Sequence, residues 1–428
     1  MFFKGRILMK VSLQAVLSDS HLDSTQKSNQ RQLAISMSAV SDATDGNLPL
    51  NLCLIIDHSG SMKGRPINKV KQAAISLVQK LKPSDHLSII SFNHKAKVLV
   101  ANQMVGEIDN LKKKILYLEA DGGTSIDEGM NLGLKEAIKG KKDGVSQIFL
   151  LTDGENEHGN NQRCLELATI ACFDNITINT LGFGSHWNQD VLEQIADSAS
   201  GTLCYIEKPE QAMEKFSELF TRIKSVSLTN AYILIELMPQ VRLAELKPVA
   251  QVAPDIIELP IQREQERYIF RLGNLMCDDS RVVLANLYLA NLPLGSNTIA
   301  KVQVRYDDPG RGQEKLLSEN IPVEAEVQQA YQPKLDSMVQ KHILALAKYR
   351  QTKIAETKLQ LGDHSGAATM LQTAANTALQ LGDKSAATVL QTSATQLQSG
   401  AELSEAERKK TRIVSKTILQ NKSNLILS

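Results

Sequence analysis

LIIDHSGSMKG, residues 54–64, decides how this chain folds. An apolar run ends on Asp57, and Ser59 and Ser61 follow at alternate positions ahead of Gly64. A short unbroken apolar run marks a strand buried on both faces. Where such a strand emerges into a tight turn, open α/β sheets place their binding sites. Three hard oxygen side chains converging on one point suit a small divalent cation, Mg²⁺ before Mn²⁺ or Ca²⁺.

Outward from this run, residues 49–224 alternate strands and helices with short connections, which implies a parallel sheet covered on both faces. Residues 51–57 read as the first strand, and 65–81 as a helix with Val70, Ala74, Leu77, Val78 and Leu81 at helical spacing. Strands at 87–93 and 96–100 meet in a tight turn at His94, the second as an antiparallel edge. Helices at 108–118 and 126–138 flank the segment DGGTS, and 147–153 is another buried strand ending on an aspartate. Strand 176–183, helix 190–198, strand 202–206 and helix 209–223 complete a doubly wound count.

The run resembles the metal-ion-dependent adhesion site of the von Willebrand factor type A family, whose pattern is D-x-S-x-S. DGGTS supplies Thr124, LLTDGEN supplies Asp153, and LGFGSHWNQDVLEQIADSASGTLCYIEKPEQ is similar to the closing portion of bacterial type A domains. The resemblance covers residues 49–224 and implies a metal site of Asp57, Ser59, Ser61, Thr124 and Asp153. It implies that Ser59 and Ser61 ligate directly, Thr124 directly or through water, and that the two aspartates supply charge through waters. Neutral hydroxyls would leave the ion electrophilic, so a carboxylate from a partner protein takes the remaining position. Loops at the same end of the sheet carry Met62, Lys63, His94, Glu155, His158, His186 and Trp187, the expected partner-binding rim. Trp187, the sole tryptophan, reads either as an interface anchor or as a cap on the core. His158 and His186 read as rim residues rather than metal ligands.

The flanks differ. Residues 10–17 and 33–40 alternate with period two, and so do 232–238, 256–261, 268–272, 282–289 and 302–306, with DDPGRG a strong turn signal. Two N-terminal strands are too few to stand alone, so they are expected to join the later ones. The expected fold is a Rossmann-like α/β domain (49–224) inserted in an antiparallel β-sandwich (9–45 and 225–330), followed by an all-α helical-hairpin domain (335–424). An internal repeat, LQLGDHSGAATMLQ at Leu359 and LQLGDKSAATVLQ at Leu379, offers Gly362 and Gly382 as helix ends and Asp363 and Asp383 as N-caps. Antiparallel hairpins of the tetratricopeptide kind follow, with a shorter period; structural packing is the simpler reading, a peptide-binding or self-associating surface the alternative.

Lysine plus arginine (48) against aspartate plus glutamate (47) leaves a net charge of +1, which argues against an extended basic face for nucleic acid. No stretch approaches the length of a membrane span, and Lys4, Arg6 and Lys10 interrupt any signal-peptide core, with Met9 an alternative start. Five cysteines without C-x-x-C spacing read as reduced thiols in a cytoplasmic protein. The expected function is a non-enzymatic, metal-dependent module or scaffold that grips an Asp or Glu of a protein partner. A Mg-dependent hydrolase with Asp57 as nucleophile is the alternative, but it wants a second acid where Ser59 stands. No G-x-x-x-x-G-K-[ST] or G-x-S-x-G motif occurs to support an enzyme. Bacterial family members that work beside AAA+ ATPases in metal-chelatase-like or assembly roles suggest a third reading, a non-catalytic subunit.

Overall fold

The computed structural model describes residues 10–40, 48–141 and 144–416. The Met9 start and the outer ends of the 9–45 and 335–424 segments lie outside the described residues. The chain opens with β1 (Val11–Leu17), β2 (His21–Asp23) and β3 (Ser28–Ala39). The α/β unit follows: β4 (Leu50–Asp57), α1 (Arg65–Val78), β5 (His86–Phe92), β6 (Ala96–Met104), α2 (Ile108–Leu116) and α3 (Ile126–Lys139). It continues with β7 (Val145–Thr152), α4 (Asn161–Phe173), β8 (Ile176–Phe183), α5 (Gln189–Ser198), β9 (Leu203–Ile206) and α6 (Ala212–Lys224).

Its sheet runs β6-β5-β4-β7-β8-β9, parallel except for the antiparallel edge β6. Strand pleating sends alternate β4 residues to opposite faces. Leu50, Leu52, Leu54 and Ile56 pack under α1, α2 and α6, while Cys53 and Ile55 pack under α3 and α4. Each such leucine or isoleucine, fully buried, stabilises the fold by ~1.5–3 kcal/mol; the one polar residue of β4 before Asp57, Asn51, is buried with its amide donating to Ala137 O at 2.7 Å and Ser146 Oγ at 3.1 Å.

The later strands are β10 (Val226–Leu237), β11 (Val241–Leu243), β12 (Val249–Ala253), β13 (Ile257–Glu258), β14 (Gln262–Glu264) and β15 (Arg267–Met276). They are followed by β16 (Arg281–Ala290), β17 (Gly295–Asp308), β18 (Gln313–Leu317) and β19 (Ile321–Gln328). One sheet runs β1-β3-β16-β12-β13 and the other β14-β15-β10-β17-β19-β2. The N-terminal strands therefore sit inside the sandwich: β3 pairs along β16, and β2 lies parallel to β19. The strand expected at 256–261 breaks into β13 and β14, because Pro260 removes a ladder donor between them. β2, β11, β12, β18 and β19 were not anticipated.

The two ends of the α/β unit meet at one buried carboxylate. Asp85 accepts from the Leu50 and Lys82 amides at 2.9 Å each and pairs with Lys224 Nζ at 2.7 Å.

Four helices close the chain: α7 (Ser337–Gln360), α8 (His364–Gln380), α9 (Lys384–Gln398) and α10 (Glu405–Lys416). Gly362 and Gly382 adopt φ of +78° and +77°, and Asp363 and Asp383 accept from the Gly366 and Ala386 amides at 2.8 and 2.9 Å. A positive φ at C′ followed by an aspartate cap ends one helix and starts the next. Alanines 367, 368, 374, 375, 378, 386, 387 and 394 let the helices approach closely. α10 then packs back on both α7 and α9, so the hairpins close on themselves rather than extending as an open array.

Candidate metal centre

Asp57 ends β4 and is 0% exposed. Its Oδ1 accepts from the Ser59 amide at 2.7 Å and its Oδ2 from the Thr152 hydroxyl at 2.6 Å. Ser59 leads into a short 3-10 turn, Gly60–Met62, which brings Ser61 Oγ to 3.0 Å from Ser59 Oγ and 2.6 Å from Asp153 Oδ1. The Thr124 loop is tied to this turn by the Gly60 amide donating to Gly122 O, and to the Asp153 loop by the His158 amide donating to Thr124 O. Gly154 packs beside both hydroxyls: a Cβ there would lie 3.3 Å from Thr124 Oγ1 and 3.8 Å from Ser61 Oγ. Asp57, Ser59, Ser61, Thr124 and Asp153 thus converge at the carboxyl ends of β4 and β7.

Two carboxylates share this corner without a lysine or arginine paired to either among the described residues. Burial pushes the Asp57 carboxyl upward, opposed by its bonds from Thr152 and Ser59. Burial also raises Asp153, to about 6, with the charge of Asp57 adding to the rise. The donor set is oxygen throughout, and no trio of His, Cys, Asp or Glu side chains is arranged for a metal among the described residues. Hard oxygens with uncompensated negative charge fit a divalent cation of the Mg²⁺ or Ca²⁺ type.

The rim divides. Lys63, His94, Glu155, His158 and His186 are exposed. His94 and His158 lie against the bare backbone of Gly122 and Gly123, where an added Cβ would meet their rings at 2.5 and 2.3 Å. Met62 and Trp187 are not rim residues: at 0% and 1% exposed they plug the core from above. Trp187 fills the space left by Gly182, donates its indole N–H to Gly184 O at 2.9 Å and packs 5.7 Å from the Tyr205 ring. An indole between polar neighbours still favours burial when its one donor finds a carbonyl. Thr152 was missed. Thr152 holds Asp57, and Asn156 Oδ1 accepts from the Ile126 amide at 2.7 Å, fixing the start of α3 beside Thr124. Nothing in LLTDG sets Thr152 apart from its strand neighbours.

Residues 51–219 match the von Willebrand factor type A domain, and residues 337–421 match the family described as Sll0103-like, C-terminal alpha-helical domain. "Uncharacterized protein sll0103" of Synechocystis sp. is 57% identical over 412 residues, covering 96% of this chain and 98% of that protein. The chain belongs to the Sll0103-like family of von Willebrand factor type A proteins. Its type A region is also 25% identical, over 43% of this chain and 21% of the relative, to the inter-alpha-trypsin inhibitor heavy chain H4 of Bos taurus. In fold, the whole chain is similar to a von Willebrand factor type A protein from Catenulispora acidiphila, with a TM-score of 0.82 at 16% identity over 96% of this chain and 98% of that one. The ArnB paralog VWA2 from Sulfolobus acidocaldarius matches at a TM-score of 0.54 and 17% identity, over 95% of this chain and 100% of its own. Type A domains are protein-interaction modules, and no helix is long and apolar enough to cross a membrane among the described residues.

Proposed function

We propose that this protein is a metal-dependent binding module that grips an acidic side chain of a protein partner through a divalent cation, Mg²⁺ first, held by Asp57, Ser59, Ser61, Thr124 and Asp153. One observation carries the reading: a buried carboxylate, Asp57, and a half-buried one, Asp153, neither paired to a lysine or arginine among the described residues, stand beside three hydroxyl oxygens at the carboxyl end of the sheet. When bound, the cation would supply an open coordination position for a partner's carboxylate. The chain's own residues do the rest. Thr152 and the Ser59 amide orient Asp57, the 3-10 turn presents Ser59 and Ser61, and the Gly122–Gly123 backbone lets the His94 and His158 rings pack against the Thr124 loop.

A non-enzymatic role is supported by the position of Asp57. Both its oxygens are engaged and its side chain is enclosed, so neither is aimed at an incoming phosphoryl group. We place the protein in the cytoplasm, in keeping with five free cysteines, of which Cys53 and Cys164 are buried.

The test is titration with MgCl₂ by calorimetry, beside affinity purification from a lysate of the source cell. Wild type is expected to bind Mg²⁺ and to retain partners that excess chelator releases. Asp57→Ala, Asp153→Ala and Ser59→Ala/Ser61→Ala should each lower metal affinity at least tenfold, about 1.4 kcal/mol, with the fold retained. Partners held equally well by Asp57→Ala, by Asp153→Ala and in chelator would overturn the metal-bridge reading.

A further inference from the structure

α10 is docked in an unusual way. The residues it buries are Lys409, Thr411, Arg412, Ser415 and Lys416, none of them aliphatic. Lys409, Arg412 and Lys416 recur at spacings of three and four, so they form one stripe along the helix. On α5, Asp190, Glu193 and Asp197 repeat the same spacing. The two stripes interlock: Arg412 pairs with Asp190 and Glu193 at 2.5 Å each and reaches Glu356 of α7 at 3.8 Å. Lys416 pairs with Glu193 at 3.0 Å and with both oxygens of Asp197 at 2.7 and 2.8 Å. Lys409 donates to the Ser185 carbonyl, and its ammonium sits 4.6 Å over the Trp187 ring.

A seam of this kind adds little net stability, because desolvating the charges offsets most of their attraction. What it fixes is register. The segment it fixes, residues 184–188, links β8 to α5 and carries the exposed His186 and the buried Trp187. The seam also walls a cleft of about 270 Å³ that opens at Glu155, two residues from Asp153, and reaches Leu359 and Leu371 of the helical domain. The helical domain therefore meets the metal face directly, through side chains that a passive tail would have no need to bury.

We propose that Lys409, Arg412 and Lys416 are positioning residues for the metal face: α10 is an ionic brace that sets the 184–188 loop and, through it, the affinity of the site. The claim about affinity rests on the metal reading above. The claim about the loop does not.

Hydrogen exchange, tryptophan emission and MgCl₂ titration on the full chain test it together. Trp187, the sole tryptophan, lies against Lys409, so its emission reports whether α10 is docked. Arg412→Glu is expected to speed amide exchange in both 405–416 and 184–188 at least tenfold, to shift the emission to the red, and to change Mg²⁺ affinity at least threefold. Arg412→Lys, which keeps the positive charge among Asp190, Glu193 and Glu356, should leave all three near wild type. Lys409→Met, which keeps the aliphatic stem, should reproduce the loop effect with α6 and the sandwich exchanging normally, whereas Lys409→Arg should not. The brace is overturned if α10 exchange is unchanged in Arg412→Glu, or if α10 is freed while 184–188 and Mg²⁺ affinity stay as in wild type. A wild-type protein that takes up no Mg²⁺ overturns the metal reading and the affinity claim with it, and exchange at 184–188 still decides the brace.

Discussion

At the scale of single residues, an ionised carboxylate enclosed beside another one is destabilising until a cation joins them. Asp57→Asn removes one of those charges and leaves an oxygen for the Ser59 amide. In chelator, this variant is expected to melt above wild type by ~2–4 °C, the equivalent of about 1 kcal/mol in a domain of this size. Excess Mg²⁺ at a hundred times Kd should stabilise wild type by about 2.7 kcal/mol and leave Asp57→Asn where it was. Thermal unfolding in chelator and in MgCl₂ checks both signs; a wild type indifferent to Mg²⁺ would contradict them. The five residues brought together were legible because each follows an apolar run or a glycine turn that the sequence displays. Thr152 was not, because a hydroxyl inside a strand looks like any other strand residue until Asp57 Oδ2 is found 2.6 Å away. Met62 and Trp187 were misplaced for a related reason: loop membership says nothing about which way a side chain turns.

At the scale of elements, the repeat offers a matched comparison. Asp363 and Asp383 cap α8 and α9 in the same geometry, but their second partners differ. Asp363 pairs with Lys358 on the surface, while Asp383 pairs at 3.1 Å with Lys348, which is 1% exposed. Losing a cap costs about 1 kcal/mol, and stranding a buried cation costs about 3–5 kcal/mol. Denaturant unfolding should therefore rank Asp383→Ala well below Asp363→Ala in stability; equal losses would show that Lys348 is not held by Asp383. Helix ends in this region were readable from Gly362 and Gly382 because backbone sterics leave few residues for a positive φ. β12 was unreadable for the opposite reason. VAQVA is buried along its whole length, since Val252 and Ala253 pack against Val339 of α7, so the two-residue alternation of a half-exposed strand never appears. Partner elements distant in sequence decide such a pattern.

At the scale of the whole molecule, three packing units meet along shared charges, and Asp85 is where the α/β unit joins itself. Asp85→Asn should leave Lys224 without its short partner and weaken the hold on Leu50, costing about 3–5 kcal/mol and loosening both ends together. Exchange at 48–52 and 222–226 would read this; if only one end loosens, the carboxylate does not link them. The sandwich itself draws strands from both sides of the insertion, with β3 beside β16 and β2 beside β19, a connection that local pattern suggested and only long-range pairing could complete. A unit whose entrance and exit grip the same carboxylate behaves as a cassette. Its entrance follows β3 of one sheet and its exit leads into β10 of the other, so it joins its host at a single place and leaves both host sheets paired as they are. The same economy lets the gripping face diversify by exchange of the whole insert while the frame that carries it stays constant.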